Sequence, residues 1–411
     1  MPPELPPAEI GARLRAIRRR RGLSLDVVAG LAGISRSYLA MLERGERRFD
    51  RRGLLESVAV ALGCAVTELT GQPYPTRDRA TAAALAAVGQ LGAVLYDVDL
   101  DDAPDVPARP VDVLAELARR ANEHTDESQY SAAVAGLGAV LTELHVHAVG
   151  DDPDARRAAL AALVEACFAA CGAARQLGRP ELAVQAARRA VDAAAQLDAP
   201  ELAALAAMTE SGALTRLGAR RRAGQVLSAG LNGLPDPDPA TEPANAESAG
   251  MLHLASAQAA AREGSTADAA AHLDAAAELA AATGERNTLC FHFGPANTAA
   301  WSVAVAVELE RGPSVAAALD DDTLSARLAA LGSRDRRAGL HLDLARAWAQ
   351  SGGDRDGSAL RHLDAADRIA PVRLRNDPIA RELVAELDTR ARRRVWELES
   401  LRQRFGLAAT G

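Results

Sequence analysis

The chain has 411 residues and a net charge of −8, and it is long enough for two or three domains. Nearly half of the residues are hydrophobic but only 3% are aromatic, which excludes a core built mainly on large rings. Alanine, leucine and valine must fill the core, and alanine favours closely packed helices. Because few segments alternate with a period of two, we predict an all-α fold.

Several other classes of protein are not expected from the sequence. No segment reaches the ~18 apolar residues of a membrane span, and the first residues lack the features of a signal peptide. The four cysteines lie far apart, so we expect no metal site, no disulfide framework and a cytoplasmic location. There is no P-loop, G-x-S-x-G or H-E-x-x-H motif, so we expect neither an enzyme nor a bound cofactor.

Charge is distributed unevenly along the chain. Residues 1–71 contain 12 arginines against 8 acidic residues, a net charge of +4, which leaves −12 for residues 72–411. A basic end on an acidic protein indicates that this end binds nucleic acid, because the rest of the chain repels DNA. The chain has no lysine, so arginine must supply every cationic contact to phosphate.

The basic segment is predicted to form five short helices. Ser24 and Ser35 are expected to be N-caps, and Gly22, Gly33 and Gly45 are expected to end helices. The predicted helices are Ala8–Arg20, Leu25–Ala32, a third from the Ser35 cap through Glu43, Arg52–Leu62, and a last turn containing Val66 and Leu69.

Caps, turn glycine and core residues fall in one register here, at Leu23-Ser24, Ala29, Gly33-Ile34-Ser35, Leu39 and Leu42-Glu43-Arg44-Gly45. This pattern resembles the phage-repressor (Cro/CI, or XRE) family of helix-turn-helix proteins. The resemblance implies that the third helix lies in the major groove of double-stranded DNA. One residue departs from the family, since Leu25 stands where a phosphate-binding glutamine is usual.

The resemblance also implies roles for individual side chains. Those expected over the bases are Arg36, Ser37, Tyr38 and Met41, and Arg36 suits guanine because its fork matches O6 and N7. Those expected to hold phosphates are Arg44, Arg47 and Arg48, with Arg51 and Arg52 as auxiliary contacts. Arg18 and Glu43 stand where the family pairs an arginine with a glutamate. The run Arg18–Arg21 is interpreted as a solvated helix end, with direct DNA contact as the alternative.

A proline-containing stretch follows the basic segment and separates it from a long helical region. We therefore place a DNA-binding domain at 1–71, a linker at 72–80 and a helical domain at 81–405. The helical domain is predicted to begin with helices near 81–95, 111–123 and 128–148. Beyond Asp151 the chain repeats. Gly178, Gly218, Gly264 and Gly352 each precede small residues at matching distances, whereas Gly312 is followed only by Ala317.

A glycine between two helices, with small residues where the second helix packs, resembles the tetratricopeptide repeat. The resemblance implies an α-solenoid with a concave groove. The side chains that it places in the groove are Arg175, Gln176, Arg216, Gln258, Arg262, Arg346 and Gln350. Such arginines suit a carboxylate or phosphate ligand. The alternative is that they pair with acidic residues of the neighbouring repeat.

The segment from Cys290 to Asn297 contains two of the five phenylalanines and a Gly-Pro step. It is predicted to form either a ligand pocket built from His292, Phe293 and Asn297 or a structural turn capped by aromatic rings. Four residues are predicted to be buried in helix packing rather than to serve a site, namely Cys167, Cys171, Trp301 and Trp348.

The whole arrangement resembles peptide-sensing quorum regulators of Gram-positive bacteria, and the arginine and alanine content fits an actinobacterial relative. The resemblance implies a transcription regulator whose helical repeats sense a small molecule or a peptide. It also implies that the protein is a homodimer. One alternative is a repressor controlled by a protein partner that docks in the groove. An enzyme is the least supported alternative.

Overall fold

The computed structural model describes residues 9–407 except 76–78, 103, 236–237, 320, 392 and 394. Within these residues the chain forms α-helices, one 3₁₀ turn at Gly353–Arg355 and a single bridge between Arg286 and Phe293. The predicted all-α class is therefore confirmed.

The basic segment forms the five helices that the sequence predicts. They are α1 (Ile10–Arg20), α2 (Leu25–Ala32), α3 (Arg36–Arg44), α4 (Arg52–Leu62) and α5 (Val66–Thr70). The side chain of Ser24 accepts the amide of Val27 at 3.2 Å, and that of Ser35 accepts the amide of Tyr38 at 3.1 Å, so both predicted N-caps are confirmed. Gly33 adopts φ +69° between α2 and α3, a conformation that glycine reaches without a steric cost. The predicted start at Ala8 lies outside the described residues.

Four helices then connect the basic segment to the repeats. They are α6 (Arg79–Asp97), α7 (Val111–Asp126), α8 (Tyr130–Val134) and α9 (Leu137–Ala148). The single helix predicted at 128–148 is wrong, because Ala135 is extended and Gly136 adopts φ +72°. This break turns the chain between α8 and α9, so that both helices bury apolar residues such as Tyr130 and Leu144.

The repeat region forms helical hairpins. Its helices are α10 (Pro153–Gln176), α11 (Pro180–Ala194), α12 (Pro200–Leu217), α13 (Arg220–Gly233), α14 (Pro243–Arg262), α15 (Thr266–Thr283), α16 (Pro295–Glu308), α17 (Gly312–Ala317), α18 (Asp321–Ala330), α19 (Arg334–Gln350) and α20 (Asp356–Ile369). Helices α10, α12, α14, α16 and α19 pack in succession, and each also contacts the helix that follows it. This is the arrangement of an α-solenoid.

The repeat glycines occupy the turns of these hairpins. Gly178, Gly218, Gly264 and Gly352 all have a positive φ. The small residues that follow at the predicted distances are largely buried, as Ala183 and Ala269 show. The fifth member departs from the pattern, because Gly312 begins the short helix α17 and Ala317 is exposed.

The helical region curves until helices α7 and α8, which precede the repeats, meet the start of α19. The hydroxyl of Tyr130 on α8 donates to Asp335 at the start of α19 at 2.7 Å, and Ser333 donates to the carbonyl of Asp126 at 3.0 Å. Three further helices follow, α21 (Pro371–Arg375), α22 (Pro378–Arg390) and α23 (Trp396–Phe405). Ile379 of α22 is fully buried in the core of the basic domain, so this domain packs against the helical region.

Within the described residues, two helices are long and apolar enough to span a membrane by length and composition, α6 and α10. The expectation that no segment is apolar enough for a membrane span is wrong by this measure, because α6 and α10 each contain an 18-residue segment with at most two charged residues. In α10, 67% of the apolar window is buried against neighbouring helices, whereas in α6 the share is 33%.

The cysteines and tryptophans singled out in the sequence have different surroundings. Cys167 and Cys171 are buried within α10, and burial raises the pKa of their thiols to about 12 and about 11. Trp348 packs between two apolar clusters and is only partly buried. Trp301 is also half-buried, and it forms part of a cavity wall described below.

Candidate nucleic-acid interface and arginine cavity

Helix α3 presents an exposed surface and is anchored from beneath by Leu39 and Leu42, which are buried. The side chain of Arg36 is 67% exposed and lies 3.6 Å from the equally exposed Asp26. Ser37 is exposed and its hydroxyl lies 3.1 Å from that of Ser35. The exposed guanidinium of Arg36 at the start of α3, beside Asp26, has the placement that a base-reading arginine requires.

The other predicted DNA contacts surround Arg36. Tyr38 and Met41 are half-buried, and burial raises the pKa of the Tyr38 hydroxyl. Arg44 and Arg47 are exposed, and Arg44 pairs with Glu46 at 2.5 Å. We define the recognition face as Arg36, Ser37, Tyr38, Met41, Arg44 and Arg47.

Arg48 is placed differently from the sequence prediction. Its side chain is only 9% exposed and lies near two carboxylates, Glu9 at 3.6 Å and Glu382 at 3.9 Å. A guanidinium in this position does not face the solvent beside α3. The structure therefore gives no support to the predicted phosphate contact of Arg48 in this arrangement.

The arginines at the end of α1 serve the fold of the domain. Nη2 of Arg18 donates to Glu43 at 2.8 Å, as predicted for a structural ion pair. Arg20 pairs with Glu68, and Arg21 donates to the carbonyls of Leu62 and Gly63 at the end of α4. The interpretation of this run as a solvated helix end is incomplete, because three of its four members bond to other helices or to their ends.

A second surface of the basic domain packs against the solenoid. We call it the docking face and define it as Arg48, Phe49, Asp50, Arg51, Arg52 and Gly53. Glu308, at the end of α16, accepts the amides of Arg52 at 3.2 Å and Gly53 at 3.0 Å, so it caps the N-terminus of α4. Carboxylates stabilise helix N-termini because the amides there lack partners within the helix.

Glu308 is itself held by the solenoid. Arg346 of α19 donates to it at 2.7 Å, and both side chains are almost fully buried. Although burial acts in the opposite direction, Arg346 and Arg262 lower the pKa of Glu308 to about 2. Arg346 also donates to the carbonyl of Asp50 at 3.1 Å, so this ion pair ties α16 and α19 to the basic domain.

Further polar contacts complete the docking face. Arg52 pairs with Asp377 at 2.5 Å, the amide of Phe49 donates to Glu382 at 3.2 Å, and Arg51 pairs with Glu310 at 2.6 Å. Two arginines of the solenoid, Arg220 at 3.1 Å and Arg262 at 3.3 Å, reach Glu56 of α4.

The linker is also attached. Gln72 donates to the carbonyl of Asn376 at 2.8 Å, and the guanidinium of Arg381 lies 4.2 Å from the ring centre of Tyr74.

A cavity of about 230 Å³ lies on the inner side of the solenoid and reaches the docking face. Its charged walls hold more arginines than acids. The arginines are Arg52, Arg175, Arg216, Arg262, Arg336, Arg346 and Arg373, and the acids are Asp126, Asp335 and Asp343. The structure therefore gathers positive charge inside a domain whose overall charge is negative.

The cavity is lined by six of the seven groove residues and one of the three pocket residues predicted from the sequence. They are Arg175, Gln176, Arg216, Gln258, Arg262, Arg346 and Asn297. Gln350 lies outside it and donates to the carbonyl of Val307 at 2.9 Å. His292 also lies outside it and bonds to Asp126 at 2.7 Å. Asn297 is fully buried, and its side-chain amide donates to the carbonyl of Phe291 at 3.1 Å.

Sequence reasoning missed several residues of the cavity wall. Arg336 stands in the first turn of α19, with its guanidinium 5.5 Å from the ring centre of Trp301. Arg373 reaches the cavity from α21 and pairs with Asp335 at 2.7 Å. Neither residue occupies a groove position of the repeat, so the repeat pattern contained no signal for them.

Comparisons with known proteins agree with the geometry of the basic domain. Residues 9–70 match a family described as a helix-turn-helix domain. The immunity repressor protein of Bacillus phage phi105 is 43% identical over 63 residues, which are 15% of this chain and 43% of that protein. The aligned region thus spans less than half of the length of that relative.

One solved structure is similar over a longer stretch. The crystal structure of Bacillus thuringiensis PlcR in complex with the peptide PapR7 and DNA is 12% identical, and the alignment covers 66% of this chain and 94% of that chain. The TM-score of 0.27 does not establish a common arrangement of the helices. The fold and the family match together define a helix-turn-helix domain joined to a helical-repeat domain.

Proposed function

We propose that this chain is a sequence-specific DNA-binding transcription regulator that acts in the cytoplasm and whose helical-repeat domain responds to an effector. The observation that carries the proposal is the recognition face. Arg36 on this face stays exposed although another surface of the same domain is packed against the solenoid. The rest of the chain is acidic, which directs DNA towards this face.

The proposal assigns a part to each residue of the recognition face. Arg36 would read guanine, with Ser37, Met41 and Tyr38 beside it on α3, while Arg44 and Arg47 would neutralise phosphates. The relative from phage phi105 is named as an immunity repressor, and its identity to this chain covers the helix-turn-helix. This supports repression as the mode of action.

Two further features belong to the same proposal. We expect a homodimer, because helix-turn-helix domains related by a two-fold axis read half-sites about 34 Å apart. We also expect the effector to be a small molecule held by the inner cavity. A protein partner docking in the groove is the alternative, but the meeting of α8 with α19 narrows the access that such a partner needs.

The test is to select preferred sites from randomised duplexes and to measure binding of two variants by fluorescence anisotropy. Arg36→Ala should lose about 1–3 kcal/mol on the selected site and relax its base preference. Arg47→Ala should weaken all sequences alike and reduce the salt slope by about one.

Arg222→Ala is the matched control, because Arg222 is an exposed arginine of α13 away from the recognition face. It should bind like the wild type. If no sequence is enriched, or if Arg36→Ala weakens specific and random DNA equally, the base-reading role is wrong. Selected sites without two-fold symmetry would contradict the dimer.

A further inference from the structure

The arginines of the cavity come from equivalent places in successive hairpins. Arg175, Arg216 and Arg262 stand in the last turns of α10, α12 and α14, each just before a repeat glycine. The curvature of the helical region brings Arg336 of α19 to the same cavity, and the helix-turn-helix domain adds Arg52. The repeat geometry thus aims several guanidinium groups at one space.

Some of these arginines are neutralised. Arg262 pairs with Glu56, Arg346 with Glu308 and Asp343, and Arg373 with Asp335. Arg52 pairs with Asp377. These four side chains therefore have structural partners. Of the predicted groove arginines, Arg346 pairs with the neighbouring repeat through Glu308, whereas Arg262 pairs with the helix-turn-helix domain.

Arg175, Arg216 and Arg336 are different. Among the described residues, none of the three has a carboxylate oxygen within 4.0 Å. The Nε of Arg175 is buried and has no hydrogen-bond partner in the described part of the chain. Its guanidinium approaches Gly212, where a Cβ atom would lie 2.7 Å from Nη1. The missing side chain of Gly212 therefore leaves room for the guanidinium of Arg175, which no carboxylate of the described residues pairs.

The positive charges of this cluster disfavour one another, and the pKa of two of its arginines is lowered. Burial, together with the charges of Arg52, Arg175 and Arg262, lowers the pKa of Arg216 well below its ordinary value, although Asp377 opposes the shift. Burial likewise lowers the pKa of Arg336. Uncompensated charges of one sign inside a protein are expensive, and such groups concentrate at binding sites.

The size and the side chains of the cavity indicate what would relieve this cost. A volume of about 230 Å³ lies below the ~300–1,000 Å³ of sites for drug-sized ligands. Guanidinium groups bind carboxylates and phosphates through two parallel hydrogen bonds. A small ligand with several anionic oxygens therefore matches both the space and its charge.

We propose that the cavity binds a compact ligand with at least two negative charges, on phosphate or carboxylate groups, held by Arg175, Arg216 and Arg336. The inference rests on the proposed effector role of the helical-repeat domain and names the chemistry of that effector. Because Arg52 also lines the cavity, the docked helix-turn-helix domain forms part of the wall of the site. By linkage, the bound ligand stabilises the docked arrangement.

The experiment is calorimetric titration of the full chain, at constant ionic strength, with inorganic pyrophosphate, with citrate and with acetate. The wild type should bind pyrophosphate or citrate saturably and should not bind acetate. The comparison of the first two ligands distinguishes phosphate from carboxylate. Arg175→Gln and Arg216→Gln should each weaken the binding about tenfold or more, because each removes charge-assisted hydrogen bonds.

A second measurement does not require the ligand. Without added anion, Arg216→Gln should raise the melting temperature, since it removes a repelled cation, and it should also reduce the increase that pyrophosphate or citrate causes. Arg222→Gln, on an exposed surface, is the matched control and should behave like the wild type. Hydrogen exchange of the α4 amides should slow when the anion binds.

The proposal is overturned if neither pyrophosphate nor citrate binds saturably, or if Arg216→Gln and Arg222→Gln have the same affinity. Failure here is separate from failure of the proposed function. Anion binding without selection of any DNA sequence would leave the cavity assignment intact and remove the regulator. Sequence-specific DNA binding with no anion binding would do the reverse.

Discussion

The recognition face and the docking face belong to one small domain, yet their arginines have opposite surroundings. On the recognition face the side chains of Arg36 and Arg44 are 67% and 51% exposed. On the docking face those of Arg48 and Arg52 are 9% and 12% exposed and lie close to carboxylates of the solenoid. Arg47 and Arg48 are adjacent in sequence but fall on different faces.

The difference shows that the partner, rather than the residue type, decides what these arginines do. Three carboxylates, Glu308, Asp377 and Glu382, contact the docking face, and one of them pairs directly with Arg52. Buried ion pairs with good geometry fix an arrangement even when they add little net stability. The docking face therefore sets where the domain is held, and the recognition face stays available to DNA.

The largest expected effect comes from removing the carboxylate at the centre of the docking face. Glu308→Ala leaves Arg346 buried without its main partner and leaves the first amides of α4 uncapped. Breaking a buried pair in this way costs about 3–5 kcal/mol. We expect faster hydrogen exchange in α4 and a lower urea midpoint, while α3 keeps its exchange rates.

Glu278→Ala is the control, because Glu278 is exposed on α15. It should leave both the exchange of α4 and the urea midpoint unchanged. If Glu308→Ala exchanges like this control, Glu308 does not hold the docking face, and the contrast between the two faces loses its main support.

An intermediate effect is expected from an alanine substitution at Gly53, which is compared with the same substitution at Gly30 of the basic domain. A Cβ at Gly53 would lie 2.8 Å from the carbonyl oxygen of Arg262, so Gly53→Ala must push α4 away from α14. Overpacking of this kind costs about 1–3 kcal/mol. The effect should appear as a lower urea midpoint and as faster exchange of the amides at the α4–α14 contact.

Gly30 on α2 provides the matched comparison, since a Cβ there meets nothing within 4 Å. Gly30→Ala should raise stability by about 0.5–1 kcal/mol through the better helix propensity of alanine. Equal stabilisation by both substitutions would mean that α4 is not held closely against the solenoid.

The sequence was most informative where structure is encoded locally. The bounds of α2 and α4 were predicted without error, because serine caps and left-handed glycines mark helix ends within a few residues. The repeat glycines likewise predicted the hairpin turns, and with them the inward direction of Arg175, Arg216 and Arg262. A break within an apparent helix was missed at Gly136, since an isolated glycine is often tolerated there.

Contacts between distant segments could not be predicted in the same way. Phe49 and Glu382 are 333 residues apart in the sequence, so no local pattern relates the docking face to α22. Arg48 was consequently assigned to phosphate, and Arg336 was not considered for the cavity. Both cases concern charge, whose role depends on the tertiary neighbours of each residue.

The smallest effect is a pH dependence that separates the two faces. Burial raises the pKa of Glu382, next to Phe49 and Arg48, from 4.5 to about 7. Because the pKa is higher in the folded state than in the unfolded state, this group contributes stability at low pH and loses it as the pH rises through about 7. Between pH 6 and 8 the free energy of unfolding of the wild type should therefore fall by roughly 1 kcal/mol, whereas that of Glu382→Gln should not.

Urea unfolding across this range measures how the free energy of unfolding changes with pH. The exposed Glu397→Gln is the control and should show the same slope against pH as the wild type. Identical slopes for all three proteins would mean that Glu382 is ionised throughout, as an ion pair with Arg48. The docking face would then be held at high pH as firmly as at low pH.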